Sequence, residues 1–323
     1  MRLQHRPFRF RLRQPLQTAA GVLEERRGWL LRLDDDNGHL GWGEVAPLAA
    51  DQLALCSVQL ERLQQASSRQ QLEEALSGSP AALAFGLGAA LAELDGLVGS
   101  PAQPWGQAPP PAWLLPSGER MGAVLEAVLA QHGPGAELTF KWKVAAGEDD
   151  HERRLLIQLL ERLPATCRLR LDANGGWDRA TANRWMGVLA GDPRFAWLEQ
   201  PLPVADQEGL IALARLGPVA LDESLDHDPT LRQVWPGWQV RRPSQEGDPR
   251  PLLRQLQAGC PQRMLSTAFE TGIGRRWLDH LAALQWHGPT PAAPGLAPGW
   301  CPDGVLFSED PTLVWAAAGQ WNR

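Results

Sequence analysis

The feature that most constrains the fold is a series of short apolar segments between residues 112 and 266, several of which end in charged residues. Three of them end at Asp172, Glu199 and Asp222, and these acids are 27 and 23 residues apart. That spacing is about the length of one βα unit. The carboxyl ends of consecutive parallel strands meet at one face of the structure. The pattern therefore predicts that the three carboxylates lie close together.

Seven strand-like segments, with helical segments between most of them, predict a parallel α/β structure. The strands are expected over residues 112–115, 138–144, 168–173, 196–199, 219–222, 238–241 and 263–266, and the clearest helices over 148–163 and 273–284. Charged residues follow many consecutive strands, whereas in an open sheet they would gather near one switch point. A barrel is therefore favoured over an open sheet.

The first hundred residues predict a different module. Strand signals over residues 8–12, 28–33 and 39–44 are followed by helical segments over residues 51–76 and 80–98, which is typical of an α+β module with an antiparallel meander. Six prolines between Pro101 and Pro116 mark a boundary. We therefore expect an N-terminal α+β domain over residues 1–108, a barrel over 109–298, and a C-terminal segment, 299–323, that returns to the N-terminal domain.

The composition excludes several classes of function. The net charge is −6 and no basic helix occurs, so we expect no nucleic-acid partner. No apolar run approaches the roughly 18 residues that a membrane span requires. Four scattered cysteines without metal-ligand spacing indicate reduced thiols in a cytoplasmic protein. There is no tyrosine, so no phenol can act as an acid or base. The sequence does not indicate an oligomeric state.

The three acids form a candidate metal site. Three clustered carboxylates without a cation would repel one another and raise their pKa values, and a bound cation removes that cost. Oxygen ligands without histidine or cysteine favour Mg²⁺ over zinc. Each acid alone could instead cap the helix that follows it, Asp222 in particular. Their occurrence in three consecutive βα units favours the metal site.

Lys141 and Lys143 are two residues apart on a predicted strand, so their side chains leave the same face. The alternative is an exposed edge strand with solvated lysines. A lysine can act as a base only when its pKa is lowered, which a neighbouring ammonium and a divalent cation both do. Arg241 and Arg242 follow on a later strand; arginine stays protonated, so either residue can stabilise negative charge but cannot act as a base.

In their order and spacing these residues resemble the enolase superfamily, and within it the o-succinylbenzoate synthases. The matching segments are GWGEVAPL at 41–48, FG at 85–86, AL at 90–91, LLPSG at 114–118, KWK at 141–143, DAN at 172–174, EQP at 199–201, DES at 222–224 and STAFETGIG at 266–274. The resemblance implies an α/β fold, a modified (β/α)7β TIM barrel with an N-terminal α+β capping domain.

The resemblance also implies a small-molecule carboxylate as the partner, together with residue roles that we state as expectations. Asp172, Glu199 and Asp222 would bind Mg²⁺, with Mn²⁺ as a possible substitute, and Lys143 would be the acid/base. The remaining expected site residues are Lys141, Arg242, Ser266 as a substrate contact, and Asn174 and Glu223 behind the metal ligands. Loops around Thr18–Gly21 and Pro47–Asp51 are the implied contacts with the substrate tail.

The implied reaction is the dehydration of 2-succinyl-6-hydroxy-2,4-cyclohexadiene-1-carboxylate to 2-succinylbenzoate in menaquinone or phylloquinone biosynthesis. Lys143 would remove the α-proton to give an enediolate, and its ammonium would then protonate the hydroxyl that leaves from the same face. One residue would perform both proton transfers.

Two positions depart from the family pattern. Arg242 stands where the family usually has lysine before proline, and Pro294 stands in a segment that more often reads His-Gly-Leu. An N-acylamino acid racemase or dipeptide epimerase needs a second lysine on the opposite face, and Arg242 cannot exchange a proton there. The arginine therefore favours dehydration over racemisation. A catalytically inactive binding protein is the alternative from another class, and the intact lysine and carboxylate motifs disfavour it.

Overall fold

The computed structural model describes residues 1–18, 21–64, 68–133 and 135–318. The chain divides into two compact units. The first contains Met1–Pro109, Arg241–Pro261 and Leu265–Arg323, and the second contains Pro110–Val240 and Gln262–Met264. The C-terminal segment expected over residues 299–323 is described as far as residue 318. The domain bounds expected from the sequence stay a prediction.

The first unit contains a three-stranded antiparallel sheet in the order β1-β2-β3. Its strands are β1 (Arg2–Thr18), β2 (Gly21–Asp34) and β3 (Leu40–Val45). In β1 the apolar residues Phe8, Phe10 and Leu12 are buried, and the arginines between them are exposed. This period-two alternation places one face of the sheet against the core and the other in solvent. The predicted antiparallel module is confirmed; β1 and β2 are longer than predicted, and β3 has the predicted length but begins one residue later.

The helices of the first unit are α1 (Ala50–Leu63), α2 (Arg69–Leu76), α3 (Ala81–Leu94), α10 (Arg250–Gln257), α11 (Gly272–Trp286) and α12 (Pro311–Ala318). The single helix expected over residues 51–76 is wrong, because the chain forms two helices there. Ser68 starts the second one: its hydroxyl accepts from the backbone of Gln71, and the Gln71 side chain accepts from the backbone of Ser68. This capping box favours a new helix start at residue 69.

Helix α3 packs closely on strand β3. A Cβ atom on Gly43 would lie 1.9 Å from the carbonyl oxygen of Gly86, so both backbones require glycine at this contact. Residues Ala82 to Ala92 of α3 are buried on all sides. The segment from Phe85 to Gly88 therefore serves helix packing.

Glu44, near the end of β3, caps the first turn of α11. Its carboxylate accepts hydrogen bonds from the backbone N–H groups of Thr271, at 2.9 Å, and Gly274, at 3.1 Å, and from the Thr271 hydroxyl. Burial raises the pKa of Glu44 to about 7; the bond from Thr271 opposes that rise, and the nearby Glu270 carboxylate adds to it. A buried acid of one segment thus holds the start of a distant helix.

We expect the ionisation of Glu44 to make the protein less stable as the pH rises. Its pKa is raised from 4.5 to about 7, so its contribution to stability is present below pH 4.5 and is lost as the pH rises through about 7. The loss corresponds to roughly 3 kcal/mol. Urea unfolding at pH 5 and pH 8 should show a smaller difference in unfolding free energy for Glu44→Gln than for the wild type. Exposed Glu24→Gln is the control, and equal pH slopes in all three proteins would contradict the assignment.

The second unit is built on a parallel sheet, whose seven described strands follow the order β10-β9-β8-β7-β6-β5-β4. They are β4 (Trp113–Leu115), β5 (Thr139–Lys143), β6 (Arg168–Asp172), β7 (Phe195–Glu199), β8 (Val219–Leu221), β9 (Trp238–Arg241) and β10 (Arg263–Leu265). The division between the two units falls before the last residue of β9 and of β10. In place of an eighth strand, the described residues show a single parallel bridge between Ser266 and Gly295.

Helices connect the strands of this sheet. They are α4 (Arg120–His132), α5 (Asp149–Arg162), α6 (Arg179–Leu189), α7 (Gln207–Ala214), α8 (Glu223–His227) and α9 (Leu231–Val234). Their apolar faces pack against the outer side chains of the strands. Trp142 of β5 and Trp185 of α6 are both fully buried in this layer. Burying side chains of this size stabilises the unit by about 1.5–3 kcal/mol each. The predicted alternation of strands and helices is confirmed.

All four cysteines belong to the described residues and are free thiols, with Cys56 and Cys167 buried. Within the described ranges, no helix has both the length and the apolar character needed to cross a bilayer.

Candidate active site

Three predicted site residues form one row across the ends of adjacent parallel strands. Lys143 of β5 pairs in register with Asp172 of β6, which pairs with Glu199 of β7. Residues paired in this way point to the same face of a sheet. Asp222 follows β8 directly, two residues after Ala220, the register partner of Glu199. The acids expected to converge thus end three consecutive strands.

Lys141 links two of these acids. Its Nζ lies 2.8 Å from Asp172 Oδ2 and 2.6 Å from Glu199 Oε1. The carboxylates are almost completely buried, at 4% and 0% exposure. Burial alone would lower the pKa of Lys141, but the two carboxylates outweigh it, and the pKa is raised. Lys141 is therefore a permanent cation at neutral pH and is unsuited to act as a base.

Asn174 and Glu223, the two residues expected behind the metal ligands, meet in the structure. Asn174 donates from its backbone N–H to Asp172 Oδ1 at 3.1 Å and from Nδ2 to Glu223 Oε1 at 2.9 Å. Burial raises the pKa of Glu223, and the negative charges of Asp172 and Glu199 raise it further. The site therefore holds more buried negative charge than one lysine balances.

Gln200 organises the ends of β7 and β8, a role that the sequence did not indicate. Its Oε1 accepts from the backbone N–H groups of Asp222, at 3.2 Å, and Ser224, at 3.1 Å. Its Nε2 donates to the Ser224 hydroxyl at 2.7 Å. Asp222 lies at the N-terminus of α8 without a side-chain capping bond. The helix-cap alternative for Asp222 is thus not what the structure contains.

Arg170 is a second residue that sequence reasoning missed. It lies two residues before Asp172, on the same face of β6, and is 2% exposed. Its guanidinium stacks over Trp197, 4.0 Å from the ring centroid. Burial lowers the pKa of Arg170 to about 9, against the effect of Glu199. The sequence did contain a signal for Arg170, because it lies two residues before the predicted metal ligand Asp172 and so on the same face of the strand.

The donor set fits a hard divalent cation. The three predicted ligands offer carboxylate oxygens. Two further buried oxygens, Asn174 Oδ1 and Glu223 Oε2, have no hydrogen-bond partner in the described part of the chain. Such oxygen donors are the ligands that Mg²⁺ prefers. Among the described residues, no three acidic, histidine or cysteine side chains already converge as a metal-binding group. With the side chains as they stand, Lys141 supplies the positive charge between Asp172 and Glu199.

Arg241, Arg242 and Ser266 belong to the first unit. The Arg241 side chain binds Glu246, with Nε 2.7 Å from Oε2, and the backbone N–H of Arg242 donates to Glu246 Oε1 at 2.6 Å. The Ser266 hydroxyl donates to the carbonyl of Gly295 at 3.3 Å. Their expected roles at the site stay predictions.

The two loops expected to contact the substrate tail also belong to the first unit. Residues 19 and 20 of the first loop lie outside the described residues. In the second, Arg26 donates to the carbonyl of Pro47 at 2.9 Å, and the backbone N–H of Leu48 donates to Gln245 Oε1 at 3.0 Å. This second loop is therefore held in place at its start.

Comparison with known proteins identifies the family. Residues 120–235 match the family model described as enolase C-terminal domain-like, and residues 7–94 match MenC, N-terminal domain. An o-succinylbenzoate synthase from Thermosynechococcus vestitus is 38% identical over 87% of this chain and 88% of that relative. The chain belongs to the o-succinylbenzoate synthase family. The resemblance predicted from the sequence motifs is thereby confirmed.

Solved structures agree with this membership of the o-succinylbenzoate synthase family. The o-succinylbenzoate synthase from Thermosynechococcus elongatus BP-1, complexed with Mg in its active site, has a TM-score of 0.82 and 32% identity, over 98% of this chain and all of that one. The L-Ala-D/L-Glu epimerase from Bacillus subtilis has a TM-score of 0.69 and 20% identity, over 91% and 89% of the two chains, which is a likeness of fold alone. The predicted α/β fold with an N-terminal capping module is confirmed.

Proposed function

We propose that this protein is a cytoplasmic hydro-lyase that dehydrates 2-succinyl-6-hydroxy-2,4-cyclohexadiene-1-carboxylate to 2-succinylbenzoate in menaquinone or phylloquinone biosynthesis. The row formed by Lys143, Asp172 and Glu199 carries the proposal, because it brings a lysine into register with two buried acids at the carboxyl ends of parallel strands. Membership of the o-succinylbenzoate synthase family supplies the substrate. The partner is accordingly a small-molecule carboxylate.

Asp172, Glu199 and Asp222 would hold Mg²⁺ in this proposal, with Asn174 and Glu223 supporting them. When bound, Mg²⁺ supplies positive charge beside the substrate carboxylate, where negative charge develops as the α-proton leaves. The protein contributes the orientation of the acids. Asn174 bonds to both Asp172 and Glu223, and Gln200 fixes the backbone on which Asp222 stands.

Lys143 would perform both proton transfers. As the neutral amine its Nζ takes the hydrogen from C1 of the substrate, and the resulting ammonium then gives that proton to the hydroxyl on C6, which leaves as water. The C1–H and C6–O bonds break, and the C1=C6 double bond completes the aromatic ring. Lys141 is held as a cation by its two carboxylates, which leaves Lys143 as the base in this proposal.

The first test is the metal dependence of turnover. We expect the purified protein, stripped of metal with EDTA, to lose its ability to form the aromatic product, because the carboxylates alone offer no positive charge to the substrate. Adding Mg²⁺ should restore the absorbance change of aromatisation, and Mn²⁺ should support it as well. Undiminished turnover in the chelated protein would contradict the metal site.

Racemisation is the second candidate, and Arg242 is the observation that bears on it. Arginine stays protonated, so it cannot exchange a proton on the face opposite Lys143. Lys143 alone could exchange the α-hydrogen of at most one enantiomer of an N-acylamino acid or dipeptide in deuterium oxide, so the other enantiomer should retain its α-hydrogen. Exchange from both enantiomers would favour a racemase or epimerase. Turnover of the cyclohexadiene substrate would dismiss the third candidate, an inactive binding protein.

A further inference from the structure

The turn that follows β5 is held by one buried side chain of α5. The carboxylate of Glu152 accepts from three successive backbone N–H groups: Ala145 to Oε2 at 2.8 Å, and Ala146 and Gly147 to Oε1 at 3.0 and 3.1 Å. Glu152 is only 2% exposed. Three successive amides around one anion form a concave binding arrangement of the kind that fixes a loop.

The same turn contains a strained residue. Ala145 has a φ of +58°, the left-handed region that residues with a Cβ atom seldom adopt. Such a conformation costs on the order of 1 kcal/mol and persists only where the surroundings hold it in place. The bond from the Ala145 N–H to Glu152 acts directly on this residue. Without this hydrogen bond, we expect Ala145 to leave the strained conformation.

Lys143 stands two residues before the strained position, at the last position of β5. Between them, the N–H of Val144 donates to the carbonyl of Asp172 at 2.9 Å, which continues the pairing of the strands. The direction of the Lys143 side chain therefore depends on the end of β5. Residue 144 pairs there with β6, and residues 145–147 are held by Glu152. Disorder in the turn would broaden the directions that Lys143 samples.

We propose that Glu152 is a positioning residue for Lys143, acting through the turn at residues 145–147 and touching neither the substrate nor the metal ligands. The inference rests on the proposed function of Lys143. A group misplaced by about 1 Å can cost on the order of a hundredfold in rate. Substrate binding by other residues would be little changed, so the effect falls on kcat rather than on KM.

Glu152→Gln tests this proposal, because the amide keeps the size of the side chain but turns an NH₂ group toward backbone donors. Exposed Glu161→Gln on the same helix is the matched control. We expect kcat of Glu152→Gln to fall by about ten- to a hundredfold with KM changed less than about threefold. Hydrogen exchange should be faster at the amides of residues 145–147 in Glu152→Gln and unchanged in the control. Wild-type kcat together with wild-type amide protection would overturn the proposal.

A second substitution separates positioning from general loss of structure. Glycine adopts positive φ without strain, so adding Ala145→Gly to Glu152→Gln should recover part of the lost kcat. If Glu152→Gln does not fold, Glu152→Asp replaces it; its shorter side chain should give an intermediate kcat, and wild-type kcat would count against the proposal. No recovery by Ala145→Gly would also count against it. Absence of turnover in the wild type would instead overturn the proposed function.

Discussion

Replacing Lys143 with alanine is expected to lower kcat by about 10⁴-fold, at the upper end for a single acid/base residue, because one side chain performs both proton transfers. The fold should survive, since Lys143 is only partly buried at the last position of β5. The measurement is the rate of absorbance change on aromatisation at saturating Mg²⁺, with the thermal unfolding midpoint recorded for the same preparation.

Lys143→Arg separates the charge of the residue from its ability to move a proton. Arginine keeps the positive charge but does not release its proton, so we expect this variant to be as slow as the alanine variant. Turnover close to that of the wild type in either protein, at an unchanged unfolding midpoint, would show that another group moves the proton.

The second large effect is expected in stability. Lys141→Met should lower the unfolding free energy of the metal-free protein by roughly 3–5 kcal/mol, because it leaves two buried carboxylates without their cation. Asp172 and Glu199 both lie within 3 Å of Lys141 Nζ. Urea unfolding in the presence of EDTA measures the change. Exposed Arg168→Met on the next strand is the control and should cost much less.

Added Mg²⁺ should stabilise Lys141→Met by more than it stabilises the wild type, because the ion then supplies charge that the variant lacks. The raised pKa of Lys141 fixes the sign of the pH effect in the wild type. Its stabilising contribution is fully present below the ordinary lysine value of 10.5 and is lost only as the pH rises through the raised value. A metal-free Lys141→Met protein as stable as the wild type would contradict this account.

The sequence was most informative where periodicity and chemistry coincide. An acid at the end of an apolar strand is visible as a pattern. The positions of Asp172, Glu199 and Asp222 at three successive strand ends could therefore be predicted, as could the positions of Lys141 and Lys143 on the strand before them. Parallel strands impose the register that brings their ends into one row. The fold class followed from the same pattern, because βα units of this length allow few arrangements.

Other features depend on contacts between residues far apart in the chain. The hydrogen bonds that Gln200 accepts from the backbone at residues 222 and 224, and the capping of α11 by Glu44, leave no periodic signal. Glu152 reads as one more acid in the first turns of a helix, where acids are common. The break between α1 and α2 was missed because the capping box at Ser68 lies inside an otherwise helical pattern.

The central claim is that a single lysine removes the proton and returns it to the leaving hydroxyl on the same face of the substrate. The most direct test is to measure turnover of the two substrate diastereomers separately at saturating Mg²⁺. The account predicts that only the diastereomer with the C1 hydrogen and the C6 hydroxyl on one face is converted to 2-succinylbenzoate. Comparable conversion of the other diastereomer would contradict it.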